Sequence, residues 1–271
     1  MPFFLFVLFF LVYPSSTLVI GSFRDQAGHF TFANIVGLDN PYIVGAYSVS
    51  IRLSVVTAVG GAIFGFLLAY AAVRGGLPPF VRSGMMTFCG VASNFAGIPL
   101  AFAFIATLGR TGMVTQLLAS IGLNPYDAGF SLYSFWGLAI VYLYFQFPLM
   151  VLIIAPALDG LRREWREAAE NLGGNFIDYW RYVAFPILTP SILGTSILLF
   201  GNAFGAYATA YALTTGLVSL VTLRIGEQLA GDIGNISQGL GYAMALGMLV
   251  IMAVCVTGYT LLQRQSERWL K

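Results

Sequence analysis

Six long stretches without a charged side chain constrain this 271-residue chain more than any other feature. A helix needs about 20 apolar residues to cross the hydrocarbon core of a bilayer, and every stretch is that long. Because backbone groups inside lipid must bond to one another, the stretches are predicted to be α-helices. They are Met1–Phe23, Leu53–Val73, Ser83–Gly109, Ala128–Leu158, Tyr182–Leu223 and Ile233–Gln263.

The composition excludes several classes of protein. Only 9% of the residues are charged and 58% are hydrophobic, whereas soluble domains carry about 25% charged residues. The net charge of +2 is too small for a nucleic-acid-binding protein, so no nucleic-acid partner is expected. The expected fold is an all-α polytopic membrane protein that has the lipid bilayer as its surroundings.

The distribution of basic residues sets the number and orientation of the spans. With six spans, nine basic residues fall on one side of the membrane and four on the other, which makes the nine-residue side cytoplasmic. A seventh span within Tyr182–Leu223 would move the C-terminal basic residues outside, so the remainder of that stretch is expected to be re-entrant or interfacial. The nine are Arg74, Arg82, Arg162, Arg163, Arg166, Arg181, Arg264, Arg268 and Lys271, and the four are Arg24, Arg52, Arg110 and Arg224.

These observations predict one transmembrane domain over residues 1–271 with both termini in the cytoplasm. The first span is expected to be retained, because it lacks the basic start of a secretory signal. An outer loop is expected over Arg24–Tyr47, Arg52 at the outer edge of the second span, and a short interfacial helix over Thr115–Ile121. The spans are predicted at about residues 3–21, 50–73, 84–108, 132–157, 182–205 and 240–262.

The predicted spans contain no residues that indicate catalysis, metal binding or proton transfer. Apart from Arg52 they contain no Asp, Glu, Lys or Arg, and no metal-ligand cluster or nucleophile–base pair stands at a recognisable spacing. Proton relays and ion-coupled carriers usually need such buried charge. We therefore assign no catalytic residue, no metal and no cofactor to this chain.

The segment Asp159–Arg181 holds nine of the chain's charged residues. Trp165, Ala168, Ala169 and Leu172 share one helical face at i, i+3, i+4 and i+7. Gly173-Gly174 is predicted to end this helix, and a second short helix is expected over Ile177–Tyr182. Charge alone leaves two interpretations open: a hairpin that contacts a cytoplasmic partner, or a solvated loop that is helical.

The spacing within this segment carries a resemblance. Glu167-Ala168-Ala169 is followed by three residues, Gly173, nine residues and Val183-Ala184-Phe185-Pro186. This resembles the EAA loop of ABC-importer permeases, which reads Glu-Ala-Ala, three residues, Gly, nine residues, Ile-x-Leu-Pro. The loop occupies 159–186, between the fourth and fifth spans, where those permeases carry it. The chain is thus similar to binding-protein-dependent permeases of the six-helix, type I kind.

The resemblance implies a role and a set of partners. Such a permease lies in the bacterial inner membrane with a second permease subunit, an ATPase dimer and an extracytoplasmic solute-binding protein. Its coupling helix fits a groove of the ATPase, and the matching residues here are Glu167, Ala168, Ala169, Gly173 and Pro186. No phosphate-binding G-x-x-x-x-G-K-[ST] pattern occurs in the chain, so ATP and Mg belong to the separate ATPase and the permease itself is not an enzyme.

The solute pathway is less constrained. Polar side chains at membrane depth either face an inner cavity or tie helices together, and both interpretations stay open. Pro99, Pro148 and Pro156 are expected to kink helices, and the pairs Gly61/Gly65 and Gly201/Gly205 are expected to be helix contacts. The candidates for lining the pathway are Asn94, Tyr142, Gln146, Asn202, Tyr207 and Tyr211.

The solute itself is left open. The stretch Asn202–Thr214 is loosely similar to spermidine/putrescine-type permeases, which suggests a polyamine. Related branches handle iron(III), phosphonates or other anions. A channel or facilitator that works without ATP, and a membrane scaffold that transports nothing, are the alternatives from other functional classes.

Overall fold

The computed structural model describes residues 2–25, 27–230 and 238–267, and helices make up most of these ranges. A π turn over Leu8–Val12 joins the first two helices, and another over Trp180–Ala184 joins the tenth and eleventh. The helices are α1 (Pro2–Val7), α2 (Tyr13–Ser22), α3 (Ala33–Val36), α4 (Pro41–Arg74), α5 (Pro79–Asn94), α6 (Gly97–Leu108), α7 (Met113–Ser120), α8 (Phe135–Asp159), α9 (Arg163–Asn171), α10 (Phe176–Tyr179), α11 (Phe185–Phe204), α12 (Ala208–Thr214), α13 (Val221–Ala230) and α14 (Gln238–Glu267).

Six helical runs within the described ranges are long and apolar enough to cross a membrane. This confirms the all-α, six-span fold that the charge-free stretches predict. The runs are Phe3–Ser22, Pro41–Arg74, Gly97–Ser120, Phe135–Asp159, Phe176–Phe204 and Gly239–Leu261.

The second span is longer than predicted. Helix α4 begins at Pro41 rather than near residue 50, so the expected outer loop Arg24–Tyr47 contains α3 and the first turns of α4. Pro41 suits a first helical position because its fixed φ is helical and its missing N–H needs no partner. The Asn40 side chain also accepts a hydrogen bond from the Tyr42 N–H, at 3.0 Å. Arg52 consequently lies within α4 and not at its outer end, and its side chain is exposed.

The third predicted span, 84–108, is wrong as a single helix, because the chain breaks between α5 and α6. Asn94, the last residue of α5, donates from its side-chain amide to the Gly90 carbonyl one turn earlier, at 2.9 Å. Gly97 then adopts φ +76°, a left-handed conformation that favours glycine. Pro99 follows in the first turn of α6, where a missing N–H costs little. The short helix expected near Thr115–Ile121 is present as α7.

The fifth span also differs from its prediction. Helix α10, the π turn and α11 form one run from Phe176 to Phe204, so the short helix expected over Ile177–Tyr182 is present as the beginning of the fifth span and not as a separate helix. The wide π turn lies directly before Pro186, whose nitrogen has no hydrogen to donate to the preceding turn. After α11, helix α12 has only seven residues and is about 10 Å long, too short to span.

The chain divides into two compact units. The first comprises Met1–Arg52 and Gly216–Cys255. Within it the Tyr47 hydroxyl donates to the Met244 carbonyl, and the Val221 N–H donates to the Ser50 hydroxyl, at 2.9 Å.

The second unit comprises Leu53–Thr215 and Val256–Lys271. Helix α8 is its centre: α5 and α11 pack along α8, and α12 packs on α6. The fully buried core of this unit includes Met150, Ile154 and Leu158 from α8, with Leu188 and Leu199 from α11.

The Gly61/Gly65 pair lies where α4 meets α8. A Cβ on Gly65 would stand 2.5 Å from the Met150 Cβ and 2.6 Å from the Phe147 carbonyl oxygen. A Cβ on Gly61 would stand 2.8 Å from the Gln146 Cβ. The absence of side chains at both positions therefore permits this close approach, which confirms the predicted helix contact.

Candidate functional site

The segment 159–186, which we call the hairpin, is built around α9. A Schellman motif ends α9: the Gly173 N–H donates to the Glu170 carbonyl and the Gly174 N–H to the Ala169 carbonyl, both at 2.9 Å. Gly173 has φ +81°, which a side chain would oppose. The prediction that the glycine pair ends this helix is confirmed.

A capping box fixes the chain immediately after that turn. The Asn175 side chain accepts hydrogen bonds from the Ile177 and Asp178 N–H groups, and the Asp178 carboxylate accepts one from the Asn175 N–H. Both orphan donors at the start of α10 are satisfied in this way. Since the motifs adjoin, the turn between α9 and α10 has its hydrogen bonds specified on both sides.

Two different surfaces flank α9. One is a cleft of about 460 Å³ that we call the charged cleft; it includes Tyr70, Arg74, Arg162, Arg163, Arg166, Glu167, Glu170 and Trp180. The other is a groove of about 490 Å³ that we call the apolar groove; it includes Trp165, Ala168, Ala169, Leu172, Tyr182, Val183 and Ile187. Leu172 is 90% exposed at the edge of this groove and extends its apolar lining to the surface.

The charges on α9 are only partly paired. Arg166 donates to the Glu170 carboxylate at 2.8 Å, and this hydrogen bond raises the pKa of the guanidinium, which stays charged. Glu167 is exposed, and its carboxylate forms no ion pair within the described ranges. Its charge is therefore available to a partner.

The hairpin is tied to the neighbouring spans at its beginning. Arg74, the last residue of α4, donates to the carbonyls of Leu158 and Leu161. Arg82 of α5 forms an exposed ion pair with Asp159. No sequence pattern predicts these contacts, because the partners of Arg74 lie 84 and 87 residues away along the chain.

A separate cavity of about 380 Å³ lies at the break between α5 and α6. The Gly97 N–H donates to the Thr209 hydroxyl at 2.7 Å and so joins the start of α6 to α12. Gly201 and Gly205 line this cavity, and a Cβ on Gly205 would meet only a carbonyl of its own helix, at 3.4 Å. The predicted helix contact is therefore wrong at Gly205. The polar members of the lining are Ser93, Asn202, Tyr207 and Thr209.

Comparison with known proteins decides the family. Residues 1–271 match the family described as binding-protein-dependent transport system inner membrane component. This chain belongs to that family of ABC-importer permeases. It is accordingly a multi-pass inner-membrane transport subunit for a small solute.

Several permeases and a solved transporter are similar to this chain. The sulfate transport system permease protein CysT of Salmonella typhimurium is 27% identical over 205 residues, which cover 75% of this chain and 69% of CysT. The thiamine transport system permease protein ThiP of Escherichia coli is 27% identical over 217 residues, which cover 80% of this chain and only 38% of ThiP. A bacterial alginate ABC transporter, solved in complex with an alginate pentasaccharide-bound periplasmic protein, contains a chain of the same fold: TM-score 0.72, 17% identity, and coverage of 97% of this chain and 92% of that one.

The permease's predicted coupling residues are distributed over the hairpin. Glu167 lines the charged cleft, whereas Ala168 and Ala169 line the apolar groove. Gly173 lies just beyond the end of α9, and Pro186 lies at the start of α11 outside both surfaces. The four positions of the short motif thus meet around one helix, and the proline is separate from them.

The predicted pathway residues fall into two groups. Asn202 and Tyr207 line the cavity, and Tyr211 stacks on Tyr207 with 5.5 Å between ring centres. Tyr142 and Gln146 are fully buried and connect α8 to other parts of the chain. The Tyr142 hydroxyl donates to the Ala206 carbonyl at 3.2 Å, and the Gln146 amide donates to the Leu199 carbonyl at 2.8 Å. Asn94 donates to the Gly90 carbonyl of its own helix and does not line the cavity.

Sequence reasoning missed Ser93 and Thr209 as lining residues of the permease. Both are small hydroxyl residues, which occur throughout these spans and so gave no distinctive signal. The Gly97-Ile98-Pro99 sequence could have marked the break beside them, since glycine and proline together in the middle of a charge-free stretch indicate an interrupted helix.

Proposed function

We propose that α9 is the helix through which a separate ATPase drives this permease. The observation that carries the proposal is the pair of unlike surfaces on either side of α9, with Glu167 in the charged cleft and Leu172 exposed beside the apolar groove. A solvated loop would not need a large apolar side chain at 90% exposure on a helix whose end is fixed by a Schellman motif.

The physical role of α9 follows from this arrangement. Closure of an ATPase dimer around ATP is a rigid-body motion, and a helix held in a groove of that dimer must move with it. Burial of a leucine side chain contributes about 1.5–3 kcal/mol, which gives Leu172 a large share of the contact. The Glu167 carboxylate supplies a charge-assisted hydrogen bond to a basic side chain or a backbone N–H of the ATPase.

The remaining partners follow from the same proposal. The ATPase dimer holds ATP and Mg, a second permease subunit completes the membrane portion, and an extracytoplasmic binding protein delivers the solute. The alginate transporter in complex with a periplasmic protein supports this last partner by analogy of fold. Both termini and the hairpin are cytoplasmic in this proposal, in accordance with the distribution of basic residues.

For the solute we propose an oxyanion of the sulfate class. The cavity lining within the described ranges has no charged residue, and it offers the side-chain amide of Asn202, which forms no hydrogen bond within those ranges. Helix α6 begins at the cavity, and a helix N-terminus carries partial positive charge. CysT, with 69% of its length matched, is a sulfate permease by name.

Thiamine is the second candidate, because the stacked Tyr207 and Tyr211 rings would suit an aromatic cation. The likeness to ThiP points the same way. The polyamine suggested by Asn202–Thr214 is not supported: the relatives are sulfate and thiamine permeases, and the described lining offers no carboxylate to a polycation.

The solute proposal is tested in liposomes that contain this permease with its second permease subunit and ATPase. Uptake of radiolabelled sulfate that requires ATP and the binding protein supports it. Uptake of labelled thiamine instead of sulfate would identify thiamine as the solute. Uptake that proceeds without ATP would identify the chain as a facilitator.

The coupling proposal is tested by Leu172→Asp, with Ile177→Asp as a matched control. Both residues are exposed apolar side chains of the hairpin, at 90% and 71%, but only Leu172 borders the apolar groove. Loss of about 1.5–3 kcal/mol corresponds to roughly 10- to 150-fold weaker retention of the ATPase in a pull-down. Equal retention by Leu172→Asp and Ile177→Asp, with both variants in the membrane, would contradict the proposal.

A further inference from the structure

One guanidinium joins the ends of three helices at the beginning of the hairpin. Arg74 closes α4, and a single nitrogen of its side chain donates to the Leu158 carbonyl at 2.9 Å and to the Leu161 carbonyl. Leu158 lies in the last turn of α8, and Leu161 lies in the three-residue link that leads to α9. We call this contact the carbonyl clamp.

The clamp adds a charged donor to a carbonyl at the end of α8, which also accepts a hydrogen bond from the Leu161 N–H, at 3.3 Å. The last four carbonyls of an α-helix have no partner within the helix, and α8 ends at Asp159. Arginine suits this position because its planar guanidinium presents several donors in fixed directions and is always charged. A cation at this point also interacts favourably with the partial negative charge at the C-terminal ends of both α4 and α8.

The clamp also anchors the link in the core. The side chains of Leu158 and Leu161 are 0% and 4% exposed, so their carbonyls are held by packing as well as by Arg74. The link contains Gly160, which adds no side-chain packing of its own. The guanidinium therefore joins the link directly to α4, beside the packing of Phe66 and Tyr70 on Trp180, whereas α8 is joined to α9 through the covalent chain.

We propose that Arg74 is a positioning residue that transmits the movement of α9 to the Leu53–Arg74 part of α4. The inference rests on the proposed function of α9 as the coupling helix. Without the clamp, α4 meets the hairpin mainly through the rings of Phe66 and Tyr70 on Trp180, at 6.3 and 5.2 Å between ring centres, and it follows α9 less closely. The binding protein outside and the ATPase inside would then lose their mutual influence, which linkage makes reciprocal.

The test uses the complete complex in liposomes and compares ATP hydrolysis with and without binding protein. Arg74→Met keeps an unbranched side chain but removes the donors. We expect it to retain the ATPase, while the ratio of ATP hydrolysis with binding protein to hydrolysis without it falls at least about fivefold, the lower end of typical coupling between sites. Arg74→Lys, whose ammonium can donate to both carbonyls, should restore most of the stimulation.

Arg82→Met is the matched control, because it removes one positive charge beside the same link. Its ion pair with Asp159 is exposed, at 37% and 47%, and such pairs contribute little. We expect stimulation within about twofold of the wild type. A loss equal to that of Arg74→Met would show that local charge matters and the clamp does not.

The outcomes separate the clamp from the coupling proposal. A wild-type complex that never holds an ATPase overturns the proposed function and the clamp with it. A wild-type complex that is stimulated, together with Arg74→Met that is stimulated equally, overturns the clamp alone. If Arg74→Met does not reach the membrane, Arg74→Gln replaces it: its side chain stays polar, but its amide is two bonds shorter than the guanidinium and should not reach both carbonyls, so wild-type stimulation in that variant also overturns the clamp.

Discussion

Replacing Gly65 by alanine should force α4 and α8 apart. The new Cβ would stand 2.5 Å from the Met150 Cβ and 2.6 Å from the Phe147 carbonyl oxygen, and neither atom can rotate away. Carbon atoms pack best at about 3.5–4.0 Å, so the helices must separate by about 1 Å at this point. Overpacking of this kind costs about 1–3 kcal/mol.

The matched control is Gly45→Ala in the same helix. A Cβ on Gly45 would meet nothing within 4 Å, so this variant gains helix propensity without a clash. Alanine is favoured over glycine in a helix by about 1 kcal/mol, and this gain is common to both variants. The free energy of unfolding of Gly65→Ala should therefore lie about 1–3 kcal/mol below that of Gly45→Ala.

The assay is unfolding of the purified permease from mild detergent by titration with sodium dodecyl sulfate, followed by tryptophan fluorescence. The comparison of the two alanine variants removes errors of extrapolation that affect both equally. If their free energies of unfolding agree to within about 0.5 kcal/mol, the typical effect of a surface change, the close approach of α4 and α8 at Gly65 is refuted.

Two further predictions concern the hairpin and the topology. Glu167→Lys should weaken ATPase retention at least about tenfold, because reversal of a partly buried interfacial charge costs about 2–5 kcal/mol. Gly173→Val should act through geometry, since valine at φ +81° is strained by about 1–3 kcal/mol and would redirect the chain after α9. Glu164→Gln, at an exposed position outside both surfaces, should stay within about 0.5 kcal/mol in the same pull-down. Normal transport by both hairpin variants would support the interpretation of the hairpin as a solvated loop. In a cysteine-free background, Arg163→Cys should react with impermeant thiol reagents only from the cytoplasm and Ser120→Cys only from outside. Labelling of Arg163→Cys from outside intact cells would contradict the predicted orientation.

The sequence alone predicts the helical membrane fold, because span formation depends on a one-dimensional property. A stretch of about 20 uncharged residues must become a helix in lipid wherever its neighbours lie. The end of α9 is equally local, since Gly173 and Gly174 complete a Schellman motif with carbonyls only three to five residues before them. The spacing of the hairpin motif is likewise a property of consecutive residues, so its resemblance to a family is recognisable in the sequence.

Boundaries were harder to predict for a physical reason. The start of a helix at a residue such as Pro41 depends on one capping side chain and one proline. The length of a stretch without charged residues carries no information about either. The break between α5 and α6 requires Gly97 at positive φ and the hydroxyl of Thr209, which is 112 residues away.

Tertiary structure alone decided which face of each helix meets which neighbour. The two glycine pairs have the same spacing, yet Gly61 and Gly65 lie against α8 while Gly201 and Gly205 line a cavity. Spacing places both members of a pair on one side of a helix, but it does not say what that side faces. What occupies the space opposite a helix face depends on the packing of the other spans, and that packing is determined by the chain as a whole.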